Sequence, residues 1–273
     1  MATKISLKTF PPLSLGMVRF GLAAVLLGLY LAIRGKINKP APADFVKLVL
    51  SGFTGITVYF SLENIGVKYS TAADAALIIA SYPAIIMALE SLFFRVRFTA
   101  LSYAGVGLAV IGVYLIASVS QSSNDGVDRL LGNILLILAG FVWAGYNFIT
   151  RGLVSNYPMA TITFYQISAG AIGFLPLIFF EINHWTSPAA DSLMAVVYLA
   201  LFCSLFAFYL YAYGLRQVRS SFAVILMNLV PIFGVIFSML ILREEILFQQ
   251  ILGGIITIIG VLLSVLSAEK EKT

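Results

Sequence analysis

The chain has 273 residues, of which 60% are hydrophobic and 11% are charged, and its mean hydropathy is +1.00. A soluble domain carries about 25% charged residues, so this composition excludes a soluble protein and predicts an integral membrane protein. The formal net charge of +5 fits basic cytoplasmic loops and gives no reason to expect nucleic-acid binding. One cysteine and one histidine exclude an internal disulfide and a His/Cys metal site, and no cofactor is expected.

Nine apolar runs follow one another, each close to the roughly 20 residues that a helix needs to cross a bilayer. They are predicted at 13–33, 44–62, 72–94, 99–118, 130–150, 159–180, 192–213, 220–242 and 247–267. The first run is too long for the core of a signal peptide, so we interpret it as a membrane helix. The predicted fold class is therefore an all-α polytopic bundle with nine helices present.

An internal repeat becomes visible when the chain is shifted by 148 residues. Five architectural residues then coincide without a gap: Gly66 with Gly214, Pro83 with Pro231, Arg95 with Arg243, Gly105 with Gly253, and Gly112 with Gly260. Proline kinks a helix and glycine allows close helix packing, so the coincidence indicates two related bundles. Because the copies begin five helices apart, an odd number, they cross the membrane in opposite directions. This predicts two inverted five-helix repeats, as in many secondary transporters.

The first repeat is predicted at 1–118, with four helices, and the second at 130–267, with five; together they form one membrane domain. We interpret residues 1–9 as the tail of a helix that the first repeat lacks, through truncation or as a true property of the protein. Most loop lysines and arginines fall on one side, which by the positive-inside rule places the C-terminus in the cytoplasm. The expected location is the inner or plasma membrane.

The ordered set of motifs resembles the drug/metabolite transporter superfamily, in its ten-helix EamA-type branch. The resemblance is carried by PPLSLGMVRF (11–20), SLENIGVKYSTAADAALIIASYP (61–83), WAGYNFITRGL (143–153), VPIFGVIFSMLILREE (230–245) and ILGGIITIIGVLLSVL (251–266). It implies a secondary exporter of small metabolites, such as amino acids or related amphipathic compounds, that works by alternating access. The family's acid after the capping segment is present as Glu244, whereas its counterpart in the first repeat is Val96.

Three ionisable residues inside predicted helices are candidates for a gate. Arg19, Glu63 and Asp74 have similar predicted depths on the outer side, and an Arg–carboxylate cluster lowers the cost of burying charge. Their counterparts in the second repeat carry no charge: Gln166 at a shift of 147 residues, and Tyr211 and Phe222 at a shift of 148. We therefore consider an ionic lock at the outer gate and an uncharged, largely aromatic inner gate. The alternative is that Asp74 only caps its helix, since acids are favoured in a first turn, and that Glu63 is interfacial.

Polar and aromatic residues near the middle of the helices are candidates for the substrate cavity. They are Tyr59, Tyr82, Trp143, Asn147, Gln166 and Asn228. Proline frees a backbone carbonyl, which favours positions near Pro83 and Pro231. For each residue alone, helix packing is the competing interpretation. Glu90 is a candidate for proton coupling, with snorkelling to the interface as its alternative.

Several functions remain open at this stage. Besides a metabolite exporter, the sequence allows a cation or drug exporter and a non-transporting membrane subunit or sensor. An intramembrane enzyme is disfavoured because no serine-hydrolase, zinc-protease or phosphate-loop motif is present. The expected partners are a small-molecule substrate and the lipid bilayer, with protons and a second copy of the chain as further candidates.

Overall fold

Helices account for all the regular secondary structure in the part of the chain that the computed structural model describes, namely residues 1–35, 38–118, 129–154, 156–207, 210 and 229–270. In chain order the α-helices are α1 (Ala2–Ser6), α2 (Pro12–Ile33), α3 (Pro42–Gly52), α4 (Tyr59–Tyr69), α5 (Ala72–Ile79), α6 (Tyr82–Phe94), α7 (Ala100–Ala117), α8 (Arg129–Arg151), α9 (Met159–Ile178), α10 (Ala190–Tyr198), α11 (Leu229–Leu242) and α12 (Phe248–Lys270). A 3₁₀ segment, Phe179–His184, follows α9. Two π-helical segments complete the set, Phe53–Val58 between α3 and α4 and Leu199–Phe206 after α10.

Seven continuous helical stretches in these described ranges are long and apolar enough to span a bilayer. They are Pro12–Ile33, Pro42–Tyr69, Ala72–Phe94, Ala100–Ala117, Arg129–Arg151, Met159–His184 and Phe248–Ser267. Two shorter apolar helices, Ala190–Phe206 and Pro231–Leu242, correspond to the other two predicted runs. The predicted all-α polytopic membrane bundle is confirmed, because only helices satisfy their backbone hydrogen bonds within one segment in lipid.

The second predicted run is shorter than the helical stretch that the structure shows. We expected it to end near residue 62, with Glu63 at the membrane surface, but the helix continues to Tyr69. Its polar continuation stays helical because Asn64 is buried and its Nδ2 donates to the carbonyl oxygen of Pro12 at 2.9 Å. Glu63 therefore lies inside a helix.

The third predicted run is interrupted at the expected proline. Helix α5 ends at Ile79 and α6 begins at Tyr82, one residue before Pro83. Proline has no N–H to donate to the preceding turn, so the backbone breaks there. The hydroxyl of Ser81 donates to the carbonyl oxygen of Ile78 at 2.7 Å and satisfies one acceptor at the break.

The described helices fall into two compact units. The first unit contains α5, α6, α7, α11, α12 and α8 up to Ala144. Its closest helix pair is α7 with α12, which run antiparallel: a β-carbon added at Gly105 would lie 2.6 Å from the carbonyl oxygen of Gly260, and one at Gly112 would lie 2.6 Å from that of Gly253. Four of the six glycines of the predicted repeat thus form one glycine seam, which lets two backbones touch.

The second unit contains α1 to α3, the first π segment, α4 up to Ile65, α8 from Gly145, α9, α10 and the second π segment. Helices α2 and α9 pack antiparallel, with Gly16 against the ring of Phe174 and Gly28 against that of Phe164. The hydroxyl of Thr57, in the first π segment, donates to the carbonyl oxygen of Gly170 at 2.8 Å. This bond fixes the first π segment against α9.

Two pairs of structural features recur at the spacing of the predicted repeat. Arg95 and Arg243, which are 148 residues apart, both adopt the left-handed conformation at the ends of α6 and α11, with φ of 52° and 55°. Non-glycine residues rarely adopt this conformation. The same shift of 148 residues moves the first π segment to 201–206, inside the second one.

Candidate functional site

A polar cluster in the first unit surrounds Asp74, which is completely buried. Its Oδ2 accepts from Nε of Arg129 at 2.6 Å and from Nδ2 of Asn133 at 3.2 Å, and its Oδ1 accepts from Nε2 of Gln250 at 2.6 Å. The hydroxyl of Ser70 donates to Oδ1 of Asn133 at 2.5 Å. We call these five residues the Asp74 cluster. It connects α5 with α8 and α12, and charge-assisted hydrogen bonds of this kind are among the strongest in proteins.

Other residues cap the helix that carries Asp74. The hydroxyl oxygen of Thr71 accepts from the backbone N–H of Asp74 at 3.0 Å. The carboxylate of Glu244 accepts from the N–H groups of Ala72 and Ala73 at 2.9 and 3.1 Å. The carboxylate of Asp74 is thus available to the cluster, so capping does not explain it. In the sequence, Glu244 is recognisable only as the family's acid after the capping segment, so its role as a helix cap is not apparent there.

The predicted gate residues do not all lie in one unit. Asp74 belongs to the first unit, whereas Arg19 and Glu63 belong to the second. The cation that pairs with Asp74 in the structure is Arg129, which immediately precedes the fifth predicted run. The predicted partner of Asp74 was Arg19, so the arginine in this buried pair differs from the expected one.

Arg19 is buried in the second unit and forms its own contacts. Its Nε donates to the hydroxyl of Ser204 at 2.7 Å and its Nη2 to the carbonyl oxygen of Cys203 at 3.2 Å, both in the second π segment. The guanidinium also lies 4.6 Å from the ring centroid of Phe60 and 4.9 Å from that of Phe20. These cation–π contacts stabilise a charge in an apolar environment.

Glu63 interacts electrostatically with Arg19, and its Oε2 is buried without a hydrogen-bond partner in the part of the chain that the structure describes. Two of the three predicted gate residues, Arg19 and Glu63, are therefore close enough to interact electrostatically.

Gln166, the predicted counterpart of Arg19, is likewise a buried polar residue of the second unit. Its Nε2 donates to the hydroxyls of Ser51 at 2.9 Å and Thr150 at 3.0 Å, and its Oε1 accepts from the hydroxyl of Tyr146 at 3.2 Å. Three hydrogen bonds hold this side chain in place. A packing role therefore explains its burial without a substrate.

The remaining cavity candidates are divided between the units. Tyr82 is buried in the first unit, where its hydroxyl donates to the carbonyl oxygen of Leu136 at 2.9 Å, and Trp143 is half-buried there. Tyr59 is buried in the second unit against the ring of Phe60, and Asn147 is half-buried there. Their role in a cavity stays a prediction.

Glu90 is half-buried near the end of α6. Asn228, Tyr211, Phe222 and Gly214 lie outside the described residues.

A second acid cap, which sequence reasoning missed, lies in the second unit. Glu181 accepts from the N–H of Leu13 at 3.0 Å, and from the N–H and hydroxyl of Ser14 at 2.7 and 2.9 Å. It thereby caps α2 as Glu244 caps α5. A carboxylate stabilises a helix N-terminus by hydrogen bonding and by its interaction with the helix dipole. In the sequence, Glu181 is an acid in a short predicted loop. Nothing in that position distinguishes a helix cap from a solvated residue.

Replacing Glu244 with glutamine is expected to loosen the start of α5. The neutral side chain loses the charge-assisted part of two backbone hydrogen bonds, worth about 1 kcal/mol for a helix cap. Hydrogen–deuterium exchange at the amides of Ala72 and Ala73 is then about five-fold faster than in the unchanged protein. Glu245→Gln alters an exposed neighbour and serves as the matched control. Equal exchange in the two variants would contradict the capping role.

The comparisons with known proteins agree with this architecture. The sequence profile of the EamA-like transporter family matches twice, over residues 1–118 and 130–266. A protein of Archaeoglobus fulgidus, named as an uncharacterized transporter, is 31% identical over 264 residues, which cover 96% of this chain and 90% of that protein. A probable terminal-alkyne amino-acid exporter of Streptantibioticus cattleyicolor is 26% identical over 263 residues, covering 96% of this chain and 86% of the relative.

A solved crystal structure of another protein has the same fold, with a TM-score of 0.69 at 18% identity; 100% of this chain and 93% of the other are covered. The helices long and apolar enough to span a bilayer, together with relatives named as transporters, define a multi-pass membrane transporter. The chain belongs to the EamA-like transporter family, with two EamA domains. A small-molecule substrate and a lipid environment follow from that membership.

Proposed function

We propose that the protein is a secondary exporter of small amphipathic metabolites, amino acids or related compounds in particular. The observation that carries the substrate class is the similarity, along nearly the whole chain, to a probable terminal-alkyne amino-acid exporter. Buried polar clusters in both units are compatible with a polar but uncharged or zwitterionic substrate. The two buried acids are each accompanied by an arginine, Asp74 by Arg129 and Glu63 by Arg19. This disfavours a cation or drug exporter, because the negative charge that would bind a cationic substrate is already balanced.

The proposed mechanism is alternating access between two inverted repeats. The antiparallel glycine seam supports inversion, because α7 and α12 are predicted counterparts and counterparts of inverted copies run in opposite directions. The matched left-handed arginines and π segments support the repeat itself. In this proposal the C-terminus is cytoplasmic, in the inner or plasma membrane, and the acid caps Glu181 and Glu244 lie on the outer side.

The gate hypothesis takes a modified form in this proposal. The Asp74 cluster and the Arg19–Glu63 pair are two separate polar clusters near the outer ends of their helices, and each stabilises its own unit. Proton coupling through Glu90, a cavity lined by the candidate residues, and a homodimer remain predictions.

Transport by the purified chain in proteoliposomes tests this function. We expect saturable movement of L-propargylglycine, a terminal-alkyne amino acid, and none of the cationic dye ethidium. Liposomes without protein provide the background rate. Transport of ethidium alone would favour a cation or drug exporter instead. Movement of neither probe above background would contradict the proposal and favour a non-transporting subunit or sensor.

A further inference from the structure

Arg129 has more hydrogen-bond donors than the described residues use. Its side chain is nine-tenths buried, with an exposed fraction of 10%. Its Nε donates to Asp74, but Nη1 and Nη2 are both buried and have no hydrogen-bond partner among the described residues. A guanidinium carries five N–H donors, so four remain unused here. Buried donors without acceptors are costly, and each specific case requires an explanation.

No other residue of the Asp74 cluster accepts a hydrogen bond from these donors. Both oxygens of Asp74 already accept from side chains. The Oδ1 of Asn133 accepts from Ser70, and the Oε1 of Gln250 accepts from the N–H of Leu247 at 2.8 Å. Two neutral amides also stabilise the carboxylate of Asp74, so its charge does not depend on Arg129 alone. The guanidinium is therefore positioned by the cluster with its outer edge unoccupied.

We propose that Nη1 and Nη2 of Arg129 bind the carboxylate of the transported metabolite. This inference rests on the proposed function and names the chemical class of the substrate, an organic acid or zwitterion. The planar pair of amino groups matches a carboxylate with two parallel hydrogen bonds. A singly charged carboxylate fits better than a dianionic phosphate, because Asp74 already supplies one negative charge nearby. Both amino groups are shielded in this structure, so access requires another conformation of the transport cycle.

The geometry gives Asp74 and the substrate carboxylate opposite effects on each other. Both draw on the charge of one guanidinium, so removal of the Asp74 charge strengthens substrate binding. Loss of the guanidinium geometry weakens it. A purely structural role of Arg129 predicts weakened binding for both changes. The two substitutions thus separate the proposal from a structural role.

Competition for transport in proteoliposomes measures the effect of losing the guanidinium geometry. The probes are L-propargylglycine and its methyl ester, which differ in the anionic charge. Arg129→Lys keeps a cation beside Asp74 but lacks the fork of two amino groups. We expect the ratio of the two half-saturating concentrations to shift about ten-fold against the acid, the worth of one lost charge-assisted hydrogen bond. An unchanged ratio would overturn the inference while leaving the proposed function in place.

Thermal stabilisation by the same probes measures the effect of removing the Asp74 charge, without transport. L-Propargylglycine is expected to raise the melting temperature of Asp74→Asn more than that of the unchanged protein, and the ester to raise both equally. Equal stabilisation of both proteins by the acid would overturn the inference. If the unchanged protein neither binds nor moves either probe, the proposed function fails and this inference fails with it.

The chain contains two acids just before Arg129, Asp125 and Asp128, outside the described residues. The double variant Asp125→Asn/Asp128→Asn tests whether the chain itself supplies the anion. An unchanged melting temperature and acid-to-ester ratio support an external carboxylate. A loss of stability together with an increased affinity for the acid would show that one of these residues occupies the site and would overturn the inference.

Discussion

Asp74→Asn is expected to destabilise the protein by about 3–5 kcal/mol, because it leaves the buried guanidinium of Arg129 without its counter-charge. It also removes the negative charge of the carboxylate to which the amides of Asn133 and Gln250 donate. The corresponding fall in the apparent melting temperature is about 6 °C or more for a chain of this size. A thermal unfolding series of the purified protein in detergent measures it.

Two control variants test whether the loss of stability comes from the unpaired charge of Arg129. Glu245→Gln removes an exposed acid and is expected to leave the melting temperature unchanged. The double variant Asp74→Asn/Arg129→Gln removes both charges and is expected to be more stable than Asp74→Asn alone, since no unpaired charge remains. A double variant that is less stable than either single variant would show that the pair is not the dominant interaction of the cluster.

Gly112→Ala is expected to cost about 3 kcal/mol, near the upper end for overpacking. Its β-carbon would clash with the hydroxyl of Thr257 and would lie 2.6 Å from both the N of Thr257 and the carbonyl oxygen of Gly253. Two of these atoms belong to the backbone of α12, so the helices must separate. Thermal unfolding is expected to show a lower melting temperature, and site-directed cross-linking is expected to show loss of the α7–α12 contact.

Gly107 provides the matched control on the same helix. A β-carbon there meets nothing within 4 Å, and the residue is exposed. Gly107→Ala is therefore expected to leave the protein unchanged or stabilise it by up to about 1 kcal/mol through helix propensity. If both alanine variants behaved alike, the glycine seam would not be a close packing contact.

The helices were predictable because each apolar run must satisfy its own backbone in lipid. The glycines at 105, 112, 253 and 260 were correctly interpreted as close-packing residues, since their spacing marks one face. The extension of α4 beyond Glu63 was missed. Its polar residues suggested a membrane surface, yet the Nδ2 of Asn64 donates to the carbonyl oxygen of Pro12 in another helix.

The candidate site was only partly predictable for a related reason. A lone acid in an apolar helix indicates a partner but does not identify it. Arg129 stands at the first turn of α8, where it resembles an ordinary loop charge, and Gln250 stands far along the chain. The caps Glu181 and Glu244 bind helix starts distant in sequence. Such contacts depend on tertiary packing, which no local pattern contains.

Counterflow in proteoliposomes tests the central claim, that this chain is an alternating-access carrier of amino-acid-like metabolites. Vesicles loaded with unlabelled L-propargylglycine are diluted into a trace of the labelled compound. We expect a transient accumulation of label inside the vesicles without any ion gradient. The carrier brings unlabelled compound out and returns with the labelled compound in its site. Absence of accumulation in vesicles that contain folded protein would contradict the account.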